Sequence, residues 1–117
     1  LFLIMTIQYK NAIKILNTTN MTTVLSINTS SVAIVKSVYV SNNSTGAVLC
    51  NADLRDSSAT SDVEFFRDDI AGTTTVNASP QGLNLEAGDA IKAKAETANK
   101  LEVVVSYALI DRSQENG

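Results

Sequence analysis

The chain has 117 residues, enough for one domain and too few for two. It holds no His, no Trp, one Cys and one Pro, and 9 basic residues against 12 acidic ones leave a net charge of −3. These counts exclude His-assisted catalysis, His-ligated or thiolate metal clusters, an internal disulfide and a strongly basic phosphate-binding surface.

A hydrophobic share of 44% with modest net charge can bury a core, so disorder is not expected. Ser, Thr and Asn fill 35 positions, and Val, Ile and Thr fill 32. That composition favours strands and turns over helices.

The opening run Leu1–Met5 is apolar but too short for a membrane span or a signal-peptide core. Leu1 to Ile4 read as an extension ahead of a start at Met5. From Thr6 to Leu16, Ile7, Tyr9, Ile13 and Ile15 share one side of an extended chain. Thr22 to Ile27 reads as a second strand. Val32 to Ser41 is a third, with neither face cleanly apolar. It is therefore covered on both sides or carries a bulge near Lys36.

A turn around Gly46 leads into a strand over Ala47–Leu54 that contains Cys50. Arg55–Asp62 reads as a polar loop and Val63–Arg67 as a short strand, with Phe65 and Phe66 facing opposite ways. Asp68-Asp69 and Ala71-Gly72 read as a break, Thr73–Asn77 as an edge strand, and Pro80-Gln81-Gly82 as a turn. Leu83 and Leu85 precede a turn at Gly88. Ala90–Glu96 alternates Ile91, Ala93 and Ala95 against Lys92, Lys94 and Glu96. Leu101–Ile110 aligns Leu101, Val103, Val105, Tyr107 and Leu109 on one face. The four-residue loop Thr97–Lys100 between these two strands reads as a hairpin connection.

The expected fold is all-β: one antiparallel β-sandwich of about eight or nine strands. The organisation is an N-terminal strand or arm over 1–20, the sandwich over 21–111 and a polar tail over 112–117. Leu1 to Asn20 is either an arm reaching a neighbouring subunit or the first strand of the sandwich.

No residue set carries chemistry. Asp53, Asp56, Asp62, Asp68 and Asp69 match no calcium-loop spacing and read as solvated turn residues. Glu64 and Asp68 read as surface charge rather than an acid–base pair. Cys50, flanked by Val48, Leu49 and Ala52, reads as a buried thiol. Asn17, Asn20, Asn28, Asn42, Asn43 and Asn77 match the N-glycosylation pattern, as chance matches do in such a composition. Lys92, Lys94 and Lys100 are interleaved with Glu96 and Glu102, which suggests a charge-paired face rather than a nucleic-acid site. No catalytic, cofactor or metal residue is assigned, and an enzyme, a cofactor, nucleic acid and a membrane are not expected.

Two stretches carry a resemblance. Val32-Ala33-Ile34-Val35-Lys36-Ser37-Val38-Tyr39-Val40-Ser41-Asn42 resembles a strand of small virion proteins of tailed bacteriophages from aquatic and cyanobacterial hosts. Leu83-Asn84-Leu85-Glu86-Ala87-Gly88-Asp89-Ala90-Ile91-Lys92-Ala93, followed by Leu101 to Tyr107, is similar to a later segment of the same group. The resemblance implies a jelly-roll-like sandwich with a structural place in the virion. The expected role is capsid decoration (cement), as a homotrimer bound to the major capsid protein or another virion protein. A neck, tail or baseplate component is the first alternative, and a carbohydrate-binding module on the virion surface the second.

Overall fold

A computed structural model describes residues 6–111. The expected start at Met5 and the polar tail over 112–117 lie outside the described residues. Nine strands fill the described chain, and none of it is helical. They are β1 (Thr6–Ile15), β2 (Thr22–Ser26), β3 (Ser31–Asn42), β4 (Val48–Asp56), β5 (Ser61–Ile70), β6 (Thr74–Asn77), β7 (Leu83–Leu85), β8 (Ala90–Ala95) and β9 (Leu101–Asp111).

They form two antiparallel sheets. The first runs β1-β9-β3-β6, with β7 also paired to β3. The second runs β2-β8-β4-β5. Apart from the β4–β5 hairpin and the β6–β7 link, every connection crosses from one sheet to the other. This interleaved order is the double Greek key of a jelly roll.

The alternation seen in sequence sets the core. Ile91, Ala93 and Ala95 of β8 face Leu101, Val103 and Val105 of β9 across the sandwich, all buried. Val35, Val38 and Val40 of β3 join them. The switch from odd to even positions in β3 is a bulge: the pairing with β9 shifts between Val35 and Ser37. The extra residue is Lys36, which points to solvent. The mixed faces of this strand thus come from the bulge.

β6 and β7 pair with separate stretches of β3. Between them the Asn77 side chain accepts the Val38 N–H at 3.2 Å, and Ala78 donates to the Val38 carbonyl at 2.7 Å. The turn that follows needs Gly82. Its φ is +78°, and a Cβ there would stand 2.7 Å from the Val35 carbonyl oxygen.

Three expectations are corrected. β8 and β9 are not a hairpin, because they lie in different sheets. β8 pairs with β2 and β4, and β9 with β1 and β3. The loop between them is a corner, with Asn99 at φ 66° and its N–H on the Leu16 carbonyl. A four-residue loop fits a corner or a hairpin, and partners distant in sequence decide between them. Next, the polar loop after β4 is shorter than expected. Asp56 ends the strand and caps the turn, its Oδ1 accepting the Ser58 and Ala59 N–H groups and the Ser58 hydroxyl. Those hydrogen bonds, the Ser58 hydroxyl first, hold its carboxyl below the usual range. Finally, β5 runs ten residues and includes Asp68 and Asp69. A bulge at Phe65 lets both Phe65 and Phe66 pack partly against the core.

Asn42 closes the far end of β3. Its Nδ2 donates to the Gly46 and Ile70 carbonyls, each at 2.8 Å, and its Oδ1 accepts the Ser44 N–H at 2.9 Å. The residue is buried. Asn42→Ala should therefore lower stability by about 1–3 kcal/mol, read as a shift in urea midpoint with unchanged slope.

Candidate functional site

The register of β1 on β9 places side chains against the usual sandwich pattern. Directly paired residues share a face of a sheet. Gln8, Lys10, Ala12 and Lys14 pair with Leu109, Tyr107, Val105 and Val103, so they lie on the core side. Ile7, Tyr9, Ile13 and Ile15 lie on the outer side and are exposed. Tyr9 is 77% and Ile13 69% exposed. Leu16 accounts for this register. It is fully buried, and its N–H bonds the Leu101 carbonyl at 2.9 Å. A slip of one residue would turn Leu16 out and Ile13 and Ile15 in. Only Ala12 of β1 packs against the core, so β1 flanks the sandwich more than it fills it.

The apolar face continues across the sheet. On β9, Val104 sits between Ile13 and Tyr39, Ala108 between Tyr9 and Ile34, and Ile110 between Ile7 and Val32. Ile34 and Tyr39 are exposed as well. The bulge brings Lys36 over the Tyr9 ring, its Nζ 5.3 Å from the centroid. That cation–π contact fixes an exposed ring. Tyr9, Lys10, Asn11, Lys36, Ser106 and Tyr107 line a groove of about 230 Å³ beside it. The polar row Asn11, Ser106 and Ser37 divides this face into two exposed apolar patches, and patches of this kind mark an interaction surface.

The outer side of the other sheet differs in kind. Asp62 lies 3.5 Å from Arg55 and 3.8 Å from Lys92. Asn51 donates to Glu64 at 2.6 Å, and Glu96 accepts the Leu49 N–H at 2.8 Å. Partial burial first, then the charges of Glu64 and Asp62, pushes the Asp53 carboxyl up against the opposing pull of Lys92 and Lys94. This face is polar and internally paired. The charge pairing expected along a β8–β9 hairpin is replaced by pairing of Lys92 with Asp62 of β5.

The other sequence candidates take structural places. Cys50 is fully buried, and burial pushes its thiol up to about 12. At neutral pH it is a neutral thiol in the core, not a nucleophile. An aromatic disulfide reagent should leave it untouched in the native protein and titrate one thiol after denaturation. Asn42 and Asn77, two of the glycosylation matches, spend their side chains on backbone hydrogen bonds.

Sequence spacing did not anticipate that Asp56, Glu86 and Asp89 come together, with carboxylate oxygens within 4.8 Å of one another. Asp89 is buried there, its Oδ1 accepting from Ser57 and its Oδ2 from the Glu86 N–H at 2.9 Å. These bonds tie the β4–β5 turn to the turn before β8. No sequence motif announces them, because the two turns are 30 residues apart.

No protein-family model matches the sequence, and no curated protein does. Solved structures do share the fold. A chain in the acidic stable capsid structure of Helicobacter pylori bacteriophage KHP30 matches with TM-score 0.57 at 10% identity, over 94% of this chain and 95% of that one. The core of the Drosophila protein NLP, described for pentamer formation and histone binding, matches with TM-score 0.50 at 6% identity, over 86% of this chain and 96% of that one. At these identities the likeness is one of fold, and it agrees with the jelly-roll strand order.

Proposed function

We propose that this chain is a structural protein of a phage virion. In this reading it decorates the capsid, binding the major capsid protein as a symmetric homo-oligomer and stabilising the shell. The observation that carries it is the uncovered apolar face of the first sheet, presented by a rigid jelly roll. The near end-to-end match to a chain of a phage capsid supports it. So does the sequence resemblance of the β3 and β7–β8 segments to small virion proteins.

The physical logic is avidity. A face holding Ile7, Tyr9, Ile13, Ile34 and Tyr39 offers modest affinity per site. Repetition on a symmetric shell multiplies it without new contacts. A homotrimer suits a threefold position of such a shell.

Copy number tests the assignment. Quantitative mass spectrometry of purified virions should find the chain in hundreds of copies per particle. A value of about three, six or twelve would replace decoration with a neck, tail or baseplate role. The exposed rings of Tyr9 and Tyr39 favour one further reading, a carbohydrate-binding face. A glycan array should show no binding, and a hit lost in Tyr39→Ala would support that reading instead.

A further inference from the structure

The two sheets leave two long strands with one edge unpaired. Among the described residues β1 pairs only with β9, and β5 only with β4. Both are ten residues long. They lie on opposite flanks of the sandwich, β1 ending one sheet on the side of β2 and β5 ending the other on the side of β6. Their charges are opposite: β1 carries Lys10 and Lys14 and no acid, whereas β5 carries Asp62, Glu64, Asp68 and Asp69 against Arg67.

We propose that β1 of one copy pairs edge to edge with β5 of the next, joining copies head to tail into a closed ring. The second copy is chosen as occupant because the faces match under one arrangement. In a sandwich the inner sides of the two sheets face each other. When neighbouring copies are turned about a common axis with the same end up, the first sheet of one runs on into the second sheet of its neighbour. The inner side of β1 is then continuous with the outer side of β5.

That juxtaposition sets Lys10 and Lys14 beside Glu64 and Asp69, which share the outer side of β5 through their pairing with Asp53 and Leu49. On the reverse side it sets the row Ile7, Tyr9, Asn11 and Ile13 beside Val63, Phe66 and Asp68, which pair with the inward Leu54, Ala52 and Cys50. Val63 is 55% exposed in the single chain. Two lysines meet a side of β5 with three acids and Arg67, the other side is apolar except for Asp68, and the idle backbone edges of both strands gain partners. A contact between two different patches repeats from copy to copy instead of ending at a dimer, and a fixed turn at each step closes it into a ring. The charges on β5 also discourage indiscriminate pairing, because a partner edge without lysines is repelled or left unpaired. The seam runs along the β1 margin of the first sheet, whose outer face over β1, β9 and β3 stays open for the shell.

This inference stands apart from the virion reading. Native mass spectrometry and analytical ultracentrifugation of the purified full chain test it. The wild type should form one closed ring of three or more copies. Lys10→Glu/Lys14→Glu should weaken that ring by about 100-fold or more, as like charges placed together do. Glu64→Lys/Asp69→Lys should do the same, with circular dichroism unchanged in both. The four changes combined in one chain should restore the ring. A monomeric wild type, a ring indifferent to either reversal, or a combined variant that stays dissociated would each overturn the proposal. A monomer that still coats virions would overturn this contact alone. A ring absent from virions would overturn the virion reading alone.

Discussion

Tyr9→Asp/Ile13→Asp should leave the protein folded and strip it from the particle. Both side chains stand on the outer side of β1 and contribute little to the core, so the urea midpoint should move by no more than roughly 0.5 kcal/mol equivalent. Burying two such side chains against a partner is worth about 3–6 kcal/mol, and a buried unpaired carboxylate adds a further cost. Binding to purified shells should therefore fall by about 100-fold or more. A cosedimentation titration reads this directly. Thr23→Asp/Ser26→Asp, exposed on β2 in the other sheet, serves as a charge control and should bind within a few-fold of wild type. If the double variant binds as the wild type does, the apolar face is not the shell contact.

The second large effect lies in the core. Leu101 is fully buried at the corner where the chain leaves β8 for β9, and its carbonyl holds the Leu16 N–H. Leu101→Ala should destabilise the domain by about 2–5 kcal/mol, from lost burial and the cavity left behind. A domain of this size has only about 5–15 kcal/mol in total. The variant should show a clearly lowered urea midpoint and loosen β1, whose register depends on Leu16. Hydrogen exchange should then quicken along Thr6–Ile15 before it quickens in β4. Loss of less than about 1 kcal/mol would mean the corner is not a packing centre.

The fold class was legible because short β-branched runs separated by Asn, Ser, Thr and Gly specify strands locally. The inward faces of β8 and β9 were legible for the same reason, since Ile91, Ala93 and Ala95 alternate strictly with charged residues. Which strands pair was not. The β8–β9 corner resembles a hairpin because loop length and turn residues are local, whereas the choice of β1, β3 and β4 as partners is made by residues about 35 to 105 positions away. The length of β5 was missed because its acids look like loop text, although an edge strand tolerates them along its whole length.

The apolar row Ile7, Tyr9, Ile13 and Ile15 was visible from Thr6 to Leu16, but not its direction. Only the buried Leu16, one position out of phase, turns the row outward. Period-two alternation shows that two faces exist and leaves open which of them meets the core.

The proposed shell contact is that outward row. A reconstruction of virions that carry this chain, at a resolution that traces strands, examines it most directly. It should show many copies at equivalent positions on the shell, with the β1-β9-β3 face buried against the capsid protein and Tyr9 and Ile13 within it. Copies confined to one vertex, or a shell layer that leaves this face toward solvent, would contradict it.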